Sequence, residues 1–305
     1  MKQQMKKMIL LILSIYCTVS CTNNHIQQSL VNFNFEKQPL ILKTQIWNTE
    51  MFPKETMMGL FITKENTNNI YSGYMNNKNI CAKAELIENE FIWNKYPEIY
   101  LYKEAINIYA YSPYQPLSNI DPHNIPIYIS SDASQTKDYM YGTNVHGQRK
   151  INKYSPIALL NMKHSLTLLD IQVRLTPGTK SHYYHLKAIQ VGNKSGGSAL
   201  SFKGTLNIQT GEINKYVGTN ASTRLNINSL YPLKKDTKES YKLMVIPTSR
   251  IKTDGDIEII FIINDKRYKF LIPAHTEWKK GRKYLYDFLF DGYKILLYQT
   301  KSYKW

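Results

Sequence analysis

Short segments in which apolar and polar residues alternate recur along most of the chain, and this period of two predicts β-strands. In the first half, such segments lie at residues 32–37, 59–63, 106–111 and 125–129. In the second half, they lie at residues 166–175, 206–209, 243–246, 257–263, 267–272, 284–290 and 295–298. Turn-prone residues such as Asn264-Asp265 and Asp291-Gly292 separate several of them, which predicts hairpins.

No segment shows a long apolar stripe with the 3.6-residue period of a helix, so an all-β fold is predicted. Closely spaced strands with turns between them favour antiparallel β-sandwiches. A single sandwich rarely needs the roughly 280 residues that follow the N-terminal segment. We therefore predict two tandem sandwich domains, at residues 32–155 and 156–305, with the boundary near Ser155-Pro156.

Residues 1–20 have the pattern of a lipoprotein signal peptide. Lys2, Lys6 and Lys7 give it a positive start, and residues 8–16 form an apolar core too short to span a bilayer. The small residues Thr, Val and Ser then precede Cys21, which resembles a lipobox. We expect Cys21 to be lipidated and the polar stretch at residues 21–31 to act as a flexible tether to a membrane. An ordinary cleaved leader is the alternative.

The formal net charge of +16 raises the question of a nucleic-acid or other anionic partner. The lysines are scattered through every segment, however, which is typical of a solvated surface. Only Lys279, Lys280, Arg282 and Lys283 cluster, and Gly281 in their midst predicts a hairpin rather than a groove. We therefore expect no nucleic-acid partner.

The sequence offers no set of residues with the spacing of an active site. His182 and His185 are the only histidines near metal-ligand spacing, and two ligands are too few. Glu85, Glu88 and Glu90 form an acidic group with no partner acid elsewhere, and glycine loops that cradle phosphates are absent. We predict no catalytic, cofactor-binding or metal-binding residues, no cofactor and no enzyme activity.

The 24 tyrosines of the chain suit half-buried strand positions, because the ring packs while the hydroxyl reaches water. Two groups of them are candidates for stacking on sugars: Tyr109, Tyr111 and Tyr114, and Tyr71 and Tyr74. Their alternation along strands favours the core or the sheet surface instead. A surface glycan-binding lipoprotein that does not polymerise is therefore an alternative function, favoured if paired rings form an exposed platform.

Several ordered segments together resemble the fimbrillin family of Bacteroidales, the FimA-type and Mfa-like subunits of type V pili. They lie at residues 59–63, 97–100, 110–114, 138–142 after Asp132, 162–167, 243–247 and 278–286. Each segment alone is weak evidence for the family, but the order and spacing of the segments behind a lipobox make the resemblance specific. Gln135, Thr248 and Leu168 depart from the family pattern, at positions expected to change turns and surfaces rather than the fold.

The resemblance implies two transthyretin-like sandwich domains and a pilus subunit or surface adhesin that is lipid-anchored in the outer membrane. It also implies assembly by strand exchange, in which a protease removes the first strand and the C-terminal strand of another subunit fills the groove. Other pilus subunits and a surface receptor are the partners it implies. Residues 32–44 match the first strand, and residues 295–305, called the terminal strand below, match the C-terminal strand.

The terminal strand is the candidate donor, with Ile295, Leu297, Tyr303 and Trp305 expected on one face. An ordinary last strand of the second sandwich is the alternative for this segment.

The first arginine after the signal peptide is Arg149, so an arginine-specific cut near the first strand is excluded. Lys37, Lys43 and Lys54 are the candidate processing sites for a lysine-directed enzyme. An unprocessed subunit is the alternative.

Overall fold

The computed structural model describes residues 36–46, 56–65, 67, 78–87, 90–117, 120–180, 183–218, 220–229, 231–236 and 239–305. Residues Lys37–Trp305 form one compact unit. The predicted signal peptide, Cys21 and the tether lie outside the described residues, as do residues 32–35 of the first predicted strand.

Strands dominate the described chain, which also contains a 3₁₀ turn at Ala133–Gln135. The strands of the first half are β1 (Gln38–Pro39), β2 (Ile41–Ile46), β3 (Met57–Lys64), β4 (Ile80–Ile87), β5 (Glu90–Tyr96), β6 (Tyr100–Leu101), β7 (Ile106–Ser112), β8 (Ile125–Tyr128), β9 (Met140–Asn144) and β10 (Ile157–His164). Those of the second half are β11 (Thr167–Leu175), β12 (Leu186–Asn193), β13 (Lys203–Leu206), β14 (Ile213–Tyr216), β15 (Ser222–Asn226), β16 (Ser240–Val245), β17 (Ile257–Ile263), β18 (Lys266–Leu271), β19 (Arg282–Phe290) and β20 (Ile295–Lys304). The all-β prediction is confirmed.

The first half builds a seven-stranded sheet in the order β2-β10-β9-β7-β3-β4-β5. Most neighbours in it are antiparallel, but β2 runs parallel to β10. Alternating apolar side chains of these strands form one buried core cluster, which includes Leu60, Ile62, Ile108 and Leu160.

The second half builds two four-stranded sheets, in the orders β16-β11-β19-β20 and β15-β12-β17-β18. Their facing residues form a second core cluster, which contains four alternating apolar residues of β11: Leu169, Ile171, Val173 and Leu175. Within the first of these sheets, β11 pairs parallel with β19. Strands β18 and β20 are the edge strands of their sheets and lie against each other.

A three-stranded sheet joins residues from both halves of the sequence. In it, β8 pairs with β13, which pairs with β14 in a hairpin, with Leu206 opposite Ile213. A third core cluster, which includes Ile125, Ile127, Leu166 and Leu206, packs beneath this sheet.

The division into two domains near Ser155-Pro156 stays a prediction. Strand β10 begins at Ile157, directly after that point, and pairs with β9 and β2 of the first half. The chain enters the sheets of the second half only at β11, after His164.

Local turns account for the hairpins that the sequence predicts. Between β17 and β18, Asn264 and Asp265 both have positive φ angles, 46° and 65°. Asparagine and aspartate tolerate this left-handed region better than other residues with a Cβ atom, which explains the tight return. A membrane-crossing helix, long and apolar enough to reach across a bilayer, is not found among the described residues.

Candidate functional site

The N-terminal segment, defined as β1 and β2, lies at the border of the first sheet. Strand β1 pairs antiparallel with β6, and Leu40 N–H donates to the carbonyl oxygen of Ile99 at 2.8 Å. Strand β2 then runs parallel to β10, from Ile41 opposite Ile157 to Ile46 opposite Met162. The segment therefore adds a peripheral strand to a sheet that is otherwise built from later residues.

Two leucines of this segment belong to the core of the first sheet. Leu40 is 1% exposed and Leu42 is 4% exposed, and both pack in its cluster. On the far side, β2 lies against β5, where the indole N–H of Trp93 donates to Thr44 Oγ1 at 3.1 Å. Full burial of two leucine side chains stabilises the fold by roughly 3–6 kcal/mol. Removal of the segment would leave an apolar cleft between β10 and β5.

The three candidate processing lysines have different positions relative to this segment. Lys37 precedes β1, is exposed, and places its ammonium 4.2 Å from the ring centroid of Tyr100. Lys43 is exposed but lies inside β2, opposite Leu159. Lys54 lies outside the described residues, between β2 and β3 in sequence.

The candidate donor strand, β20, is the longest strand described and forms the edge of its sheet. It pairs antiparallel with β19 from Ile295 opposite Phe290 to Lys304 opposite Arg282. Trp305 extends the pairing, because its N–H donates to the carbonyl oxygen of Gly281 at 3.0 Å. In this structure, the strand is a paired part of its own sandwich.

A β-bulge divides the predicted apolar face of β20. The register shifts between Leu297, which lies opposite Phe288, and Gln299, which lies opposite Asp287. The one extra residue, Tyr298, inverts the alternation that follows it. The expectation of one shared face for the four candidate residues is therefore wrong.

The four residues instead lie in three environments. Ile295 is buried and Leu297 is partly buried against the core of the second half. Tyr303 is 43% exposed and lies opposite Lys283, on the other face. Trp305 packs against the third core cluster.

The ring of Trp305 lies on a buried histidine at the end of β10. Its centroid is 3.9 Å from that of His164, and the ring planes differ by 7°. His164 Nδ1 is 2.8 Å from Asp138 Oδ2. Among the described residues, His164 Nε2 and Asp138 Oδ1 are buried without a hydrogen-bond partner. Residues at the end of β10, before β9 and after β20 thus meet at one point that no sequence motif indicated.

The basic cluster around Gly281 differs from its prediction. Gly281 has a φ of 62° and forms a turn that leads into β19, not the loop of a two-stranded hairpin. Lys280 and Arg282 line a recess together with Lys163 of β10. The cluster therefore borders a recess that its local sequence does not indicate, because β10 and β20 supply the opposite walls.

The tyrosines singled out as sugar-stacking candidates do not form an exposed platform where the structure describes them. Tyr111 is fully buried, and burial raises its pKa to about 12; its hydroxyl donates to Asn79 Oδ1 at 2.7 Å. Tyr109 is partly buried against the third core cluster. Tyr71 and Tyr74 lie outside the described residues.

A row of exposed side chains on register partners crosses the three-stranded sheet, and no sequence pattern indicated it. We call this row the ladder. Tyr128 on β8 lies opposite Lys203 on β13, which lies opposite Tyr216 on β14. Both tyrosines are 56% exposed, and Lys203 is exposed between them. No cluster of three or more metal-ligating side chains is present among the described residues.

The sequence of residues 44–305 matches a family model described as fimbrillin-like. The chain belongs to the fimbrillin-like family. No curated protein matches it. The match covers β3 to β20 completely and begins inside β2, so it includes both the core of the first sheet and the terminal strand.

Solved structures share the fold of this fimbrillin-like chain. A proposed cell adhesion protein from Bacteroides uniformis aligns with a TM-score of 0.67 at 14% identity, over 88% of this chain and 98% of the other. A second from Bacteroides ovatus aligns with a TM-score of 0.66 at 16% identity, over 88% and 98%. The tip fimbrial protein Mfa3 from Porphyromonas gingivalis, with a C-terminal truncation, aligns with a TM-score of 0.52 at 7% identity, over 88% and 100%. At these identities, the likeness is one of fold.

Proposed function

We propose that this chain is a fimbrillin-like pilus subunit or surface adhesin that is exported as a lipoprotein through Cys21. The membership of the family supports the structural role. The signal-peptide pattern at residues 1–20 supports export and lipidation. In this proposal, the lipid holds the subunit at the outer membrane, surface-exposed, and its partners are other pilus subunits in a fimbrium and a surface receptor.

The N-terminal segment is the strand that we propose to be exchanged. The observation that carries this proposal is the position of β2, which borders the sheet and still buries Leu40 and Leu42 in its core. A strand of another subunit in its place would form backbone hydrogen bonds with β10. Its side chains would fill the two apolar pockets that Leu40 and Leu42 occupy here. Such an exchange is favourable only if the incoming strand presents alternating apolar side chains.

The C-terminal strand is the proposed donor, with Ile295 and Leu297 as its apolar pair. The edge position of β20 supports this role, because within its sheet β20 is hydrogen-bonded to β19 alone and release breaks only those bonds. Its pairing with β19 and the stacking of Trp305 on His164 oppose release. The alternative, a terminal strand that always stays in its own sandwich, makes this chain an acceptor of strands but not a donor.

Of the three candidate processing sites, Lys54 fits removal of the whole N-terminal segment. A cut after Lys37 would leave both β1 and β2 in place. A cut at Lys43 requires a protease to reach a residue inside a paired strand. A cut at Lys54, between β2 and β3 in sequence, would release both strands together.

The alternative function is a glycan-binding surface lipoprotein that does not polymerise. The observation that favours it is the exposed ladder of Tyr128, Lys203 and Tyr216. Neighbouring strands lie roughly 4.8 Å apart, so the two rings lie about 10 Å apart across the lysine. This spacing suits stacking on an extended saccharide.

The proposal is tested by gel electrophoresis of unboiled surface fractions from cells that produce the wild-type chain or the Cys21→Ala variant. We expect detergent-resistant ladders from the wild type only, because strand-exchanged subunits dissociate slowly. A wild-type chain that is strictly monomeric at the surface would contradict polymerisation and favour the alternative. Ladders of equal intensity from Cys21→Ala would contradict the role of the lipid.

A further inference from the structure

A recess of about 330 Å³ opens where the end of β10, the turn before β19 and the end of β20 meet. Its lining residues come from segments far apart in sequence: Tyr141, Lys163, His164, Lys280, Gly281, Arg282, Lys304 and Trp305. The volume is within the range of small-molecule sites and suits one sugar ring.

The charge of this recess is positive. Four of its side chains are cationic, and one of them, Lys280, is paired with Glu212 at 2.9 Å. Neither Lys163 nor Arg282 forms an ion pair with a described residue; Arg282 donates to Ser302 Oγ at 2.8 Å. Two cations that face a shared recess without an acidic partner attract an anion.

Two aromatic rings form walls of the recess and are held in place by the fold. Trp305 is fixed by its stack on His164. Tyr141 lies directly over the backbone of Gly211, where an added Cβ atom would come within 2.0 Å of the ring. The ammonium of Lys280 is 5.8 Å from the centroid of the Tyr141 ring. Fixed rings lose little conformational freedom when a ligand stacks on them.

We propose that this recess binds a carboxylate-bearing sugar residue. The guanidinium of Arg282 and the ammonium of Lys163 would pair with the carboxylate, and a guanidinium can do so with two parallel hydrogen bonds. The rings of Tyr141 and Trp305 would contact the apolar face of the sugar. The imidazole of His164, stacked beneath Trp305, supports this wall of the recess from behind.

This inference goes beyond the proposed assembly role, and it concerns a subunit whose own C-terminal strand is in place, because Lys304 and Trp305 would leave the recess with a donated β20. The residues that form the recess are all from one chain, and none belongs to the N-terminal segment. A monomer and a polymerised subunit that keeps its own C-terminal strand would both bind the ligand. The tyrosine ladder on the three-stranded sheet is formed by different residues, so the two sites can be tested separately.

The test is isothermal titration calorimetry of the full chain in detergent, with glucuronic acid as the probe. Glucose serves as the neutral sugar and acetate as the carboxylate without a ring. We expect glucuronate to bind, glucose not to bind over the same concentration range, and acetate to bind at least tenfold more weakly. Higher salt should weaken glucuronate binding, because the recess is open to solvent.

Lys163→Gln and Arg282→Gln should each weaken glucuronate binding by about tenfold, as expected for the loss of one charge-assisted contact. Lys266→Gln removes the same charge from the exposed hairpin of β17 and β18 and should leave binding unchanged, as should Tyr216→Ala in the ladder. Absence of glucuronate binding would overturn the proposal, as would binding of glucose or acetate as tight as that of glucuronate. Wild-type affinity in both Lys163→Gln and Arg282→Gln would overturn it too. All of these substituted side chains are outside the buried cores, so the variants should fold.

Discussion

The indole of Trp305 stacks on the imidazole of His164 with 3.9 Å between ring centroids, which joins the end of β20 to the end of β10. The contact links a strand of the second half to the last strand of the first sheet. Behind the imidazole, Asp138 holds Nδ1 at 2.8 Å and so orients the ring. The stack is therefore a fixed contact between the terminal strand and the rest of the fold.

Trp305→Ala should lower the free energy of unfolding by about 1–2 kcal/mol. Stacked aromatic pairs contribute roughly 0.5–1.5 kcal/mol beyond their buried area, and the indole is partly buried. Denaturant unfolding measures the change, and Trp305→Phe should recover most of it. Tyr303→Ala, at a more exposed ring two residues earlier, is the control with a smaller expected effect. An unchanged midpoint for Trp305→Ala would show that the stack does not stabilise the strand.

Arg174→Met should destabilise the second half by about 3–5 kcal/mol, the cost of removing the cationic partner of a buried carboxylate. The side chain of Asp287 is 1% exposed, and Arg174 Nε and Nη2 lie 3.3 and 3.4 Å from its two carboxylate oxygens. The double variant Arg174→Met with Asp287→Asn should recover part of the loss, because it removes the charge. Urea unfolding of Arg174→Met, Asp287→Asn and the double variant measures this coupling. Equal stability of the single variant and the wild type would contradict it.

Alkaline pH should weaken the fold through Tyr286. Burial raises the pKa of Tyr286 to about 12 from an ordinary value of 10.0. Between these pH values the folded state retains a proton that the unfolded state has lost, so stability falls as pH rises. The loss from one such group is at most about 1.4 kcal/mol per pH unit.

Tyr286→Phe checks this origin. The variant should be less stable at neutral pH, because the Trp278 indole N–H loses the hydroxyl that accepts its hydrogen bond at 2.8 Å. Its unfolding free energy should nevertheless fall less steeply between pH 10 and pH 12. Parallel pH profiles for the variant and the wild type would contradict the assignment, and Tyr293→Phe, at a largely exposed ring, is the matched control.

The hairpins could be predicted from sequence because their signals are local. The Asn264-Asp265 turn and the alternation on either side of it are within a few residues of each other. By contrast, the parallel pairing of β2 with β10 joins residues more than a hundred positions apart, and no local pattern specifies it. Leu40 and Leu42 were not recognised as core residues for a different reason: the apolar Ile41 lies between them and hides the alternation.

The candidate site was predicted in outline but not in its geometry. The terminal strand was recognised from its apolar residues. Simple alternation predicts that these residues share one face, but the bulge at Tyr298 places the residues before and after it on opposite faces. A bulge adds one residue without changing composition, so the sequence pattern does not reveal it. The recess beside Trp305 was missed because its cations come from β10, from the turn before β19, from the start of β19 and from β20.

A disulfide between β19 and β20 distinguishes a donated terminal strand from a permanent one. Leu285 and Lys301 are register partners outside the buried core, and cysteines at these positions should bond across the strands. If β20 is the donor, the oxidised variant should give no detergent-resistant ladder, whereas Leu285→Cys alone should still give one. A ladder from the oxidised double variant would mean that the terminal strand stays in its own sandwich.

The most direct test of the central claim, that the N-terminal segment is the exchanged strand, is a disulfide between β2 and β10. Ile41 and Ile157 are register partners and are 45% and 47% exposed, so cysteines there should leave the core intact. In a Cys81→Ser background, unboiled surface fractions of Ile41→Cys with Ile157→Cys should show monomers only, with ladders restored when the bond is reduced before assembly. Ile41→Cys alone should form ladders like the wild type. Ladders that persist while the disulfide is intact would contradict the account.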